Sequence, residues 1–263
     1  MNLPRRAACL TLVLAAAWPG LSLAQNAATA PTLRLGVEGA YPPFSEIGPD
    51  GKLKGFDIDM AMALCAKLGV TCTLVQQEWD GMIPALNARK FDAIIASMAI
   101  TEERQRQVAF SAPYYSTPVR WVARAGSVAG TSPAQLKGKR VGVQRSSIHD
   151  RYATQQVPGI EVVRYAKQDD VFLDLAAGRI DLVLSDSVAA DLGFLKRPAG
   201  KGFAFVGAPV EHPIFGQGAG IAVRKADAAL AQRFSEAIRA LRADGTYQKI
   251  QARYFDFDVY GRP

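Results

Sequence analysis

Arg104, Asp186 and Glu38 carry charges that suit a small zwitterion, and each lies where one expected element gives way to the next. Arg104 follows Thr101-Glu102-Glu103, in the first turn of a helix just past the strand end at Ser97. Its guanidinium can grip an α-carboxylate in a bidentate pair; the alternative is a surface arginine paired with Glu103 or another nearby acid. Ser147 comes just after the strand expected over 140–144, where a helix begins. Backbone N–H groups at such a start favour an anion, and an ordinary N-cap serine is compatible with that role. Asp186 can receive an α-ammonium, or it can cap the helix expected over 188–195. Glu38 ends the first strand, just before Gly39, and can meet a cationic side chain or stand as a solvated loop acid. Tyr41 and Trp79 can sandwich an aliphatic or guanidinium stem, although packing in a core is the usual fate of a tryptophan.

Other chemistries lack their residues. The two histidines, His149 and His212, are far apart in sequence, and no His/Cys cluster has metal-ligand spacing. There is no nucleophile elbow and no phosphate-binding glycine loop ending in Lys-Ser or Lys-Thr, and Gly138-Lys139-Arg140-Val141-Gly142 is not a dinucleotide fingerprint. Neither a catalytic residue, a metal nor a cofactor is therefore expected.

The elements that must position these groups follow from periodicity. Gly55 to Leu68 reads as a helix, with Asp57 as its cap, Asp59 in the first turn, and Ile58, Met62, Cys65 and Leu68 on one face. Lys67 falls in the last turn, and Gly69 can take the left-handed conformation that ends it. Pro49-Asp50-Gly51 marks a turn. Short β-type runs alternate with helical patterns, which predicts parallel α/β units. One pattern occurs twice, 89 residues apart. Trp79 to Leu86 leads to Phe91–Ser97, and Gln168 to Leu175 leads to Ile180–Asp186. Each copy is a helix followed by a buried strand with a polar end, which predicts two similar lobes. Ligands of open α/β sheets bind at the carboxyl ends of strands, so facing lobes would bring Ser97 and Asp186 into one cleft. The chain is expected to cross between lobes at Ser116-Thr117-Pro118 and to return around 208–213, followed by a strand over 218–223 and a long helix over 226–242.

Length and charge set the frame. Residues 1–24 read as an export signal, with Arg5 and Arg6 before an apolar stretch too short to span a bilayer and Ser22-Leu23-Ala24 at the cleavage point. About 239 residues then remain, a size that suits two small lobes. No later run is long and apolar enough for a transmembrane helix, so a soluble exported protein is expected. The net charge of +7 falls by two with Arg5 and Arg6, and the basic residues are scattered, which argues against nucleic acid. Cys65 and Cys72 are the two cysteines left after processing, and an even pair in an oxidising compartment predicts a disulfide.

From Thr32 to Gly261 the chain resembles the periplasmic solute-binding proteins for polar amino acids, family 3 of the ABC importers. It is most similar to the lysine/arginine/ornithine- and histidine-binding subgroup. The resemblance rests on Gly36 to Phe44, the signature stretch Gly55 to Leu68, Trp79-Asp80-Gly81, Arg104, Lys137-Gly138-Lys139, Gly142-Val143, Gly193-Phe194-Leu195-Lys196, Asp244-Gly245-Thr246-Tyr247 and Tyr254-Phe255-Asp256-Phe257. It implies a two-lobed α/β fold, each lobe a mostly parallel sheet flanked by helices, with two hinge crossings and the ligand in the cleft. The lobes are expected at 25–116 with 211–263, and at 117–210. It further implies that Arg104 with Ser147 binds the α-carboxylate, Asp186 and Ser97 the α-ammonium side, Tyr41 and Trp79 the stem, and Glu38 the distal cation. Ala96, Met98, Ala99, Gln144 and His149 complete the expected ligand contacts. The Cys65–Cys72 pair matches the subgroup's disulfide.

The implied activity is periplasmic capture of arginine, lysine, ornithine or histidine and delivery to an inner-membrane ABC permease, as a monomer and not as an enzyme. Several positions depart from the subgroup. Ala96 and Ala99 replace serines, Ser146 a glycine, His149 an amide or hydroxyl residue, and Glu38 a shorter aspartate. Glutamate and tryptophan choices of this kind resemble those of opine-binding relatives, so an opine-like ligand is an expectation too. An exported cyclohexadienyl-type dehydratase and a ligand-sensing partner of a membrane receptor are the competing readings on the same fold.

Overall fold

The computed structural model describes Met1 and residues 31–261. The expected export signal and its cleavage near Ala24 therefore lie outside the described residues, save Met1. The chain begins with β1 (Thr32–Val37), β2 (Ala40–Tyr41), β3 (Ser45–Ile47), β4 (Leu53–Lys54), α1 (Phe56–Leu68) and β5 (Thr71–Gln76). A 3-10 turn at Trp79–Gly81 runs into α2 (Met82–Asn87), followed by β6 (Ala93–Ile94), α3 (Glu102–Gln105) and β7 (Val108–Tyr115). Then come β8 (Val119–Arg124), α4 (Pro133–Leu136), β9 (Arg140–Gln144), α5 (Ile148–Gln156), β10 (Glu161–Tyr165), α6 (Gln168–Ala176), β11 (Leu182–Asp186) and α7 (Ser187–Ala190). The chain closes with β12 (Phe203–Val210), β13 (Ala219–Arg224), α8 (Ala228–Ala243) and α9 (Thr246–Gln251).

Two five-stranded sheets share one plan. Their orders are β5-β1-β6-β13-β7 and β10-β9-β11-β8-β12. In the first, β5, β1 and β6 are parallel, and β13 runs against both β6 and β7. In the second, β10, β9 and β11 are parallel, and β8 runs against both β11 and β12. The reversed strand of each sheet is the one the chain enters from the other lobe. The result is the expected two-lobed α/β fold, with the chain passing between sheets after β7 and again after β12. A small third sheet, β2-β3-β4, precedes α1.

The internal repeat extends further than the helix–strand pattern suggests. Arg34 donates through its backbone N and Nε to Asp92, and Arg140 does the same to Asp181. A Cβ on Gly36 would lie 2.6 Å from the Phe91 ring, and one on Gly142 would lie 2.3 Å from Ile180. Each glycine therefore leaves room for a large residue just before a neighbouring strand, Phe91 before β6 and Ile180 before β11, to lie against β1 or β9. In the first copy only Ala93–Ile94 is laddered, and Trp79–Gly81 forms a 3-10 turn, so that half of the repeat is shorter than its sequence suggests.

Helix α1 differs from its sequence reading in two respects. Its N-cap is Gly55 at φ 128°, not Asp57, and a Cβ there would meet the Phe44 carbonyl oxygen at 2.3 Å. Asp57 is buried inside the first turn, where tertiary partners claim its carboxylate. Met62 is 48% exposed. The buried face consists of Phe56, Ile58, Met60, Ala61, Leu64 and Cys65, and at 3.6 residues per turn Met62 falls well off its centre. Gly69 closes the helix at φ 68°, as expected. Cys65 is disulfide-bonded to Cys72, with the Cα atoms 6.1 Å apart.

The expected helix over 188–195 is the four-residue α7 followed by a π-helical turn at Asp191–Leu195. That segment reaches across to the first lobe. Val188 and Ala189 are buried in the same cluster as Tyr41, Phe44 and Tyr115. A Cβ on Gly193 would sit 2.9 Å from the Pro42 carbonyl oxygen, an approach only glycine allows.

Candidate functional site

The strand ends of both sheets face one cleft of about 720 Å³, its open mouth included. Glu38, Tyr41, Trp79, Ala96, Ser97, Ala99, Arg104, Gln144, Ser147, His149 and Asp186 all line it. Met98 does not. It packs in the core cluster that holds Trp79, Met82 and Phe91, while Ala96, Ser97 and Ala99 around it take the cleft side.

One end of the cleft carries a buried cation. Arg104 is buried in α3, whose N-cap is Thr101. Its guanidinium donates to the Ala99 carbonyl at 3.0 Å and to the Ser146 carbonyl at 3.4 Å, and it lies 5.0 Å from the Trp79 ring centroid. Glu103, the expected alternative partner, pairs instead with Arg151. Arg104 makes no ion pair among the described residues. Burial lowers it to about 10, still far above neutral pH, so it remains a cation. Ser147 caps α5, accepting from the Asp150 N–H at 3.1 Å, and so keeps the N-terminal end of that helix toward the cleft. His149 lies in the first turn of α5. Burial, with Arg104 close by, pushes it down to about 3, so its imidazole is neutral.

The middle of the cleft is acidic. Asp186 ends β11 and caps α7, its Oδ1 accepting from the N–H groups of Val188 (2.8 Å) and Ala189 (3.0 Å). Its other oxygen accepts from the Thr117 hydroxyl. The two expectations for Asp186, a cap and a cleft carboxylate, are thus met by the same side chain. Burial raises its pKa against these hydrogen bonds. Opposite stands Ser97, a non-glycine residue at φ 53°. Its conformation is held from behind: its hydroxyl donates to Asp57 at 2.9 Å, and its N–H donates to the Tyr114 oxygen at 3.1 Å. Tyr114 in turn donates to Asp57 at 2.6 Å. Desolvation pushes buried Asp57 up to about 7.

At the far end, Glu38 just after β1 meets Gln144 at the end of β9. The Gln144 amide donates to Glu38 Oε1 at 2.5 Å and to the Ala166 carbonyl at 3.2 Å. These are equivalent positions of the repeat, each two residues beyond the close-packed glycine, so the two lobes present matching side chains to each other. Burial pushes Glu38 up to about 7, with the Gln144 hydrogen bond pulling the other way.

The sequence reading missed several walls of the cleft. Tyr115 and Thr117 lie at the first crossing, and Phe215, Gly216 and Gly218 lie at the return. The Ser116-Thr117-Pro118 signal for a crossing located Thr117 without revealing that crossings between facing sheets must border the cleft. Phe215 packs on His149 and Tyr152, and no local signal marks it.

Residues 33–257 match the bacterial extracellular solute-binding proteins, family 3. The chain is 52% identical over 255 residues to the L-arginine-binding protein of Pseudomonas aeruginosa, covering 96% of this chain and 98% of that one. It is 47% identical over 247 residues to the lysine/arginine/ornithine-binding periplasmic protein of Escherichia coli, covering 92% and 95%. Among solved structures, a Salmonella typhimurium periplasmic binding protein with high arginine specificity superposes with a TM-score of 0.79 at 36% identity, covering 86% of this chain and all of that one. With matches that span nearly its whole length, this chain belongs to the bacterial extracellular solute-binding proteins, family 3.

Proposed function

We propose that the protein binds an amino acid with a cationic side chain in the periplasm and delivers it to an inner-membrane ABC permease. The candidates are arginine, lysine, ornithine, histidine and opine-like derivatives. The observation that carries this reading is the spacing of charge in one cleft. Buried Arg104 has no carboxylate partner among the described residues, while the buried acids Asp186 and Glu38 lie elsewhere along the same walls. A zwitterion with a cationic tail neutralises all three: its carboxylate on Arg104, its ammonium at Asp186 and Ser97, its side-chain cation at Glu38. Residues 25–116 with 211–263, and 117–210, are the two bodies that close on it, hinged at 116–118 and around 208–213, and the protein acts as a monomer. Ligand favours closure because it touches both bodies only in the closed state.

The test is a thermal-shift screen of refolded, ligand-stripped protein. A millimolar ligand of micromolar Kd adds roughly 4 kcal/mol to stability. A shift confined to basic amino acids or opines is the expected result. A shift with cyclohexadienyl acids alone, or turnover of them, would instead support the dehydratase reading. Arg104→Ala is expected to weaken binding by at least about 100-fold in calorimetry with an unchanged circular dichroism spectrum, since a charge-assisted bidentate pair is lost. Unchanged affinity would remove Arg104 from the site.

A further inference from the structure

Glu38 and Trp79 face two spaces at once. They wall the cleft, and they also wall a groove of about 610 Å³, open side included, that continues past Glu38 along Gly39, Ala40, Gln76, Gln77, Ala166 and Lys167. The partition between the two spaces is one layer of side chains. The Gln144 amide bridges Glu38 Oε1 and the Ala166 carbonyl, and Gln76 donates to the Glu38 carbonyl at 3.3 Å. Glu38 Oε2 accepts no hydrogen bond among the described residues. The far end of the cleft is thus an acid backed by one layer of side chains with open space behind it, not an acid backed by packed core.

A guanidinium is planar and carries five N–H donors, of which a carboxylate engages two in a bidentate pair. The remaining donors on its outer edge point onward, away from the ligand's own stem. Alkylation of an outer nitrogen keeps the charge and the pair with Glu38; acylation of a terminal amine removes the charge. We propose that the groove is a subsite for substituents on the terminal nitrogen of the bound cation, so that the protein accepts Nω-alkylated guanidines such as Nω-methylarginine. This rests on the cationic-ligand reading above.

Calorimetry with arginine, Nω-monomethylarginine and Nε-acetyl-lysine tests it. A closed wall penalises one added methyl group about 10–200-fold. An open groove leaves methylarginine within about threefold of arginine, and acetyl-lysine fails to bind because Glu38 has no cation to pair with. Arginine binding with methylarginine weakened about tenfold or more overturns the subsite and leaves the cationic reading standing. Failure of both arginines overturns the subsite, and the cationic reading falls with it only if lysine, ornithine and histidine also fail to bind. Ala166→Phe fills the groove from the second lobe without altering the carbonyl that Gln144 uses. It is expected to leave arginine affinity unchanged and to weaken methylarginine at least about tenfold. Equal effects on both ligands would place the methyl group elsewhere and overturn the proposal.

Discussion

Burial raises Glu38 from its ordinary 4.5 to about 7, so near neutral pH this carboxyl is shared between its acid and its anion. Only the anion pairs with a cationic side chain. Affinity for a basic amino acid is therefore expected to fall as pH drops from about 8 to about 5, and Glu38→Gln is expected to flatten that profile while weakening cationic ligands selectively. An unchanged profile in the variant would show that Glu38 is not the titrating group. Stability runs in the opposite direction. A carboxyl that holds its proton more tightly when folded adds stability that is complete below its unfolded pKa and lost as pH rises through about 7. Without ligand, the protein is expected to melt higher at pH 5 than at pH 8, with Asp57 adding to Glu38 and His149, held neutral far below its ordinary 6.5, opposing them as pH falls. Behind Ser97, Tyr114→Phe would leave Asp57 Oδ1 and the Ser97 N–H without their shared partner. We expect a loss of about 1–3 kcal/mol in denaturant unfolding, from the cost of unpaired buried polar groups. A loss near zero would mean that Asp57 and Ser97 find other partners.

Helix α1 is held at both ends by contacts that no isolated helix would have. Its first turn carries Asp57 to the underside of Ser97, so the helix that supports the first lobe also sets the backbone of a cleft residue. Asp59 in the same turn accepts from Arg253 and Tyr254 near the C-terminus. At the other end, Cys65 ties the helix to Cys72 in β5, the edge strand beside β1, and β1 leads directly to Glu38. The disulfide closes a short loop, for which the chain-entropy account gives roughly 2–3 kcal/mol. Replacing both cysteines by alanine is expected to lower unfolding free energy by about that amount while leaving ligand affinity within about twofold, because neither sulfur lines the cleft. A large loss of affinity with little loss of stability would make the bridge part of the site's geometry instead.

At the scale of the molecule, three ion pairs among the described residues join the lobes around the cleft, all with the same polarity. Asp80 meets Arg145 at 2.5 Å, Glu46 meets Arg197 at 3.6 Å, and Glu103 meets Arg151. The acids come from segments attached to the first sheet and the arginines from segments attached to the second. Each pair is partly exposed, and such pairs contribute about 0.2–1 kcal/mol and are screened by salt. Because they form only when the lobes are together, they favour closure and so contribute to ligand affinity. We expect calorimetric affinity to weaken about two- to tenfold between about 0.05 M and about 1 M salt, and the dependence to become shallower in a variant combining Asp80→Asn and Arg145→Gln. An unchanged dependence would mean that this pair does not contribute to closing. The buried contact between Gln144 and Glu38 is neutral on one side and sits away from salt, so it should be far less sensitive.

Features that depend on near neighbours were legible in the residues. Gly69 ends α1 because only a residue free of Cβ strain takes φ 68° at no cost, and the 89-residue repeat foretold matching sheets because each half carries its own buried strand. The same repeat placed Ser97 and Asp186 at equivalent strand ends, and both line the cleft. Where the reading failed, the deciding contact was distant. Asp57 resembles a cap in its local sequence, yet its partners Ser97 and Tyr114 lie 40 and 57 residues away, and a carboxyl buried among them must accept their hydrogen bonds instead of capping the helix. Met62 fits an apolar spacing but points to solvent, since the orientation of a helix is set by what packs on it. Glu38 meets Gln144 across 106 residues, and that meeting requires both sheets to be folded and facing. Local chemistry thus specified the elements and named most of the groups, whereas the partnerships that tune those groups arise between lobes and exist only once the lobes are assembled.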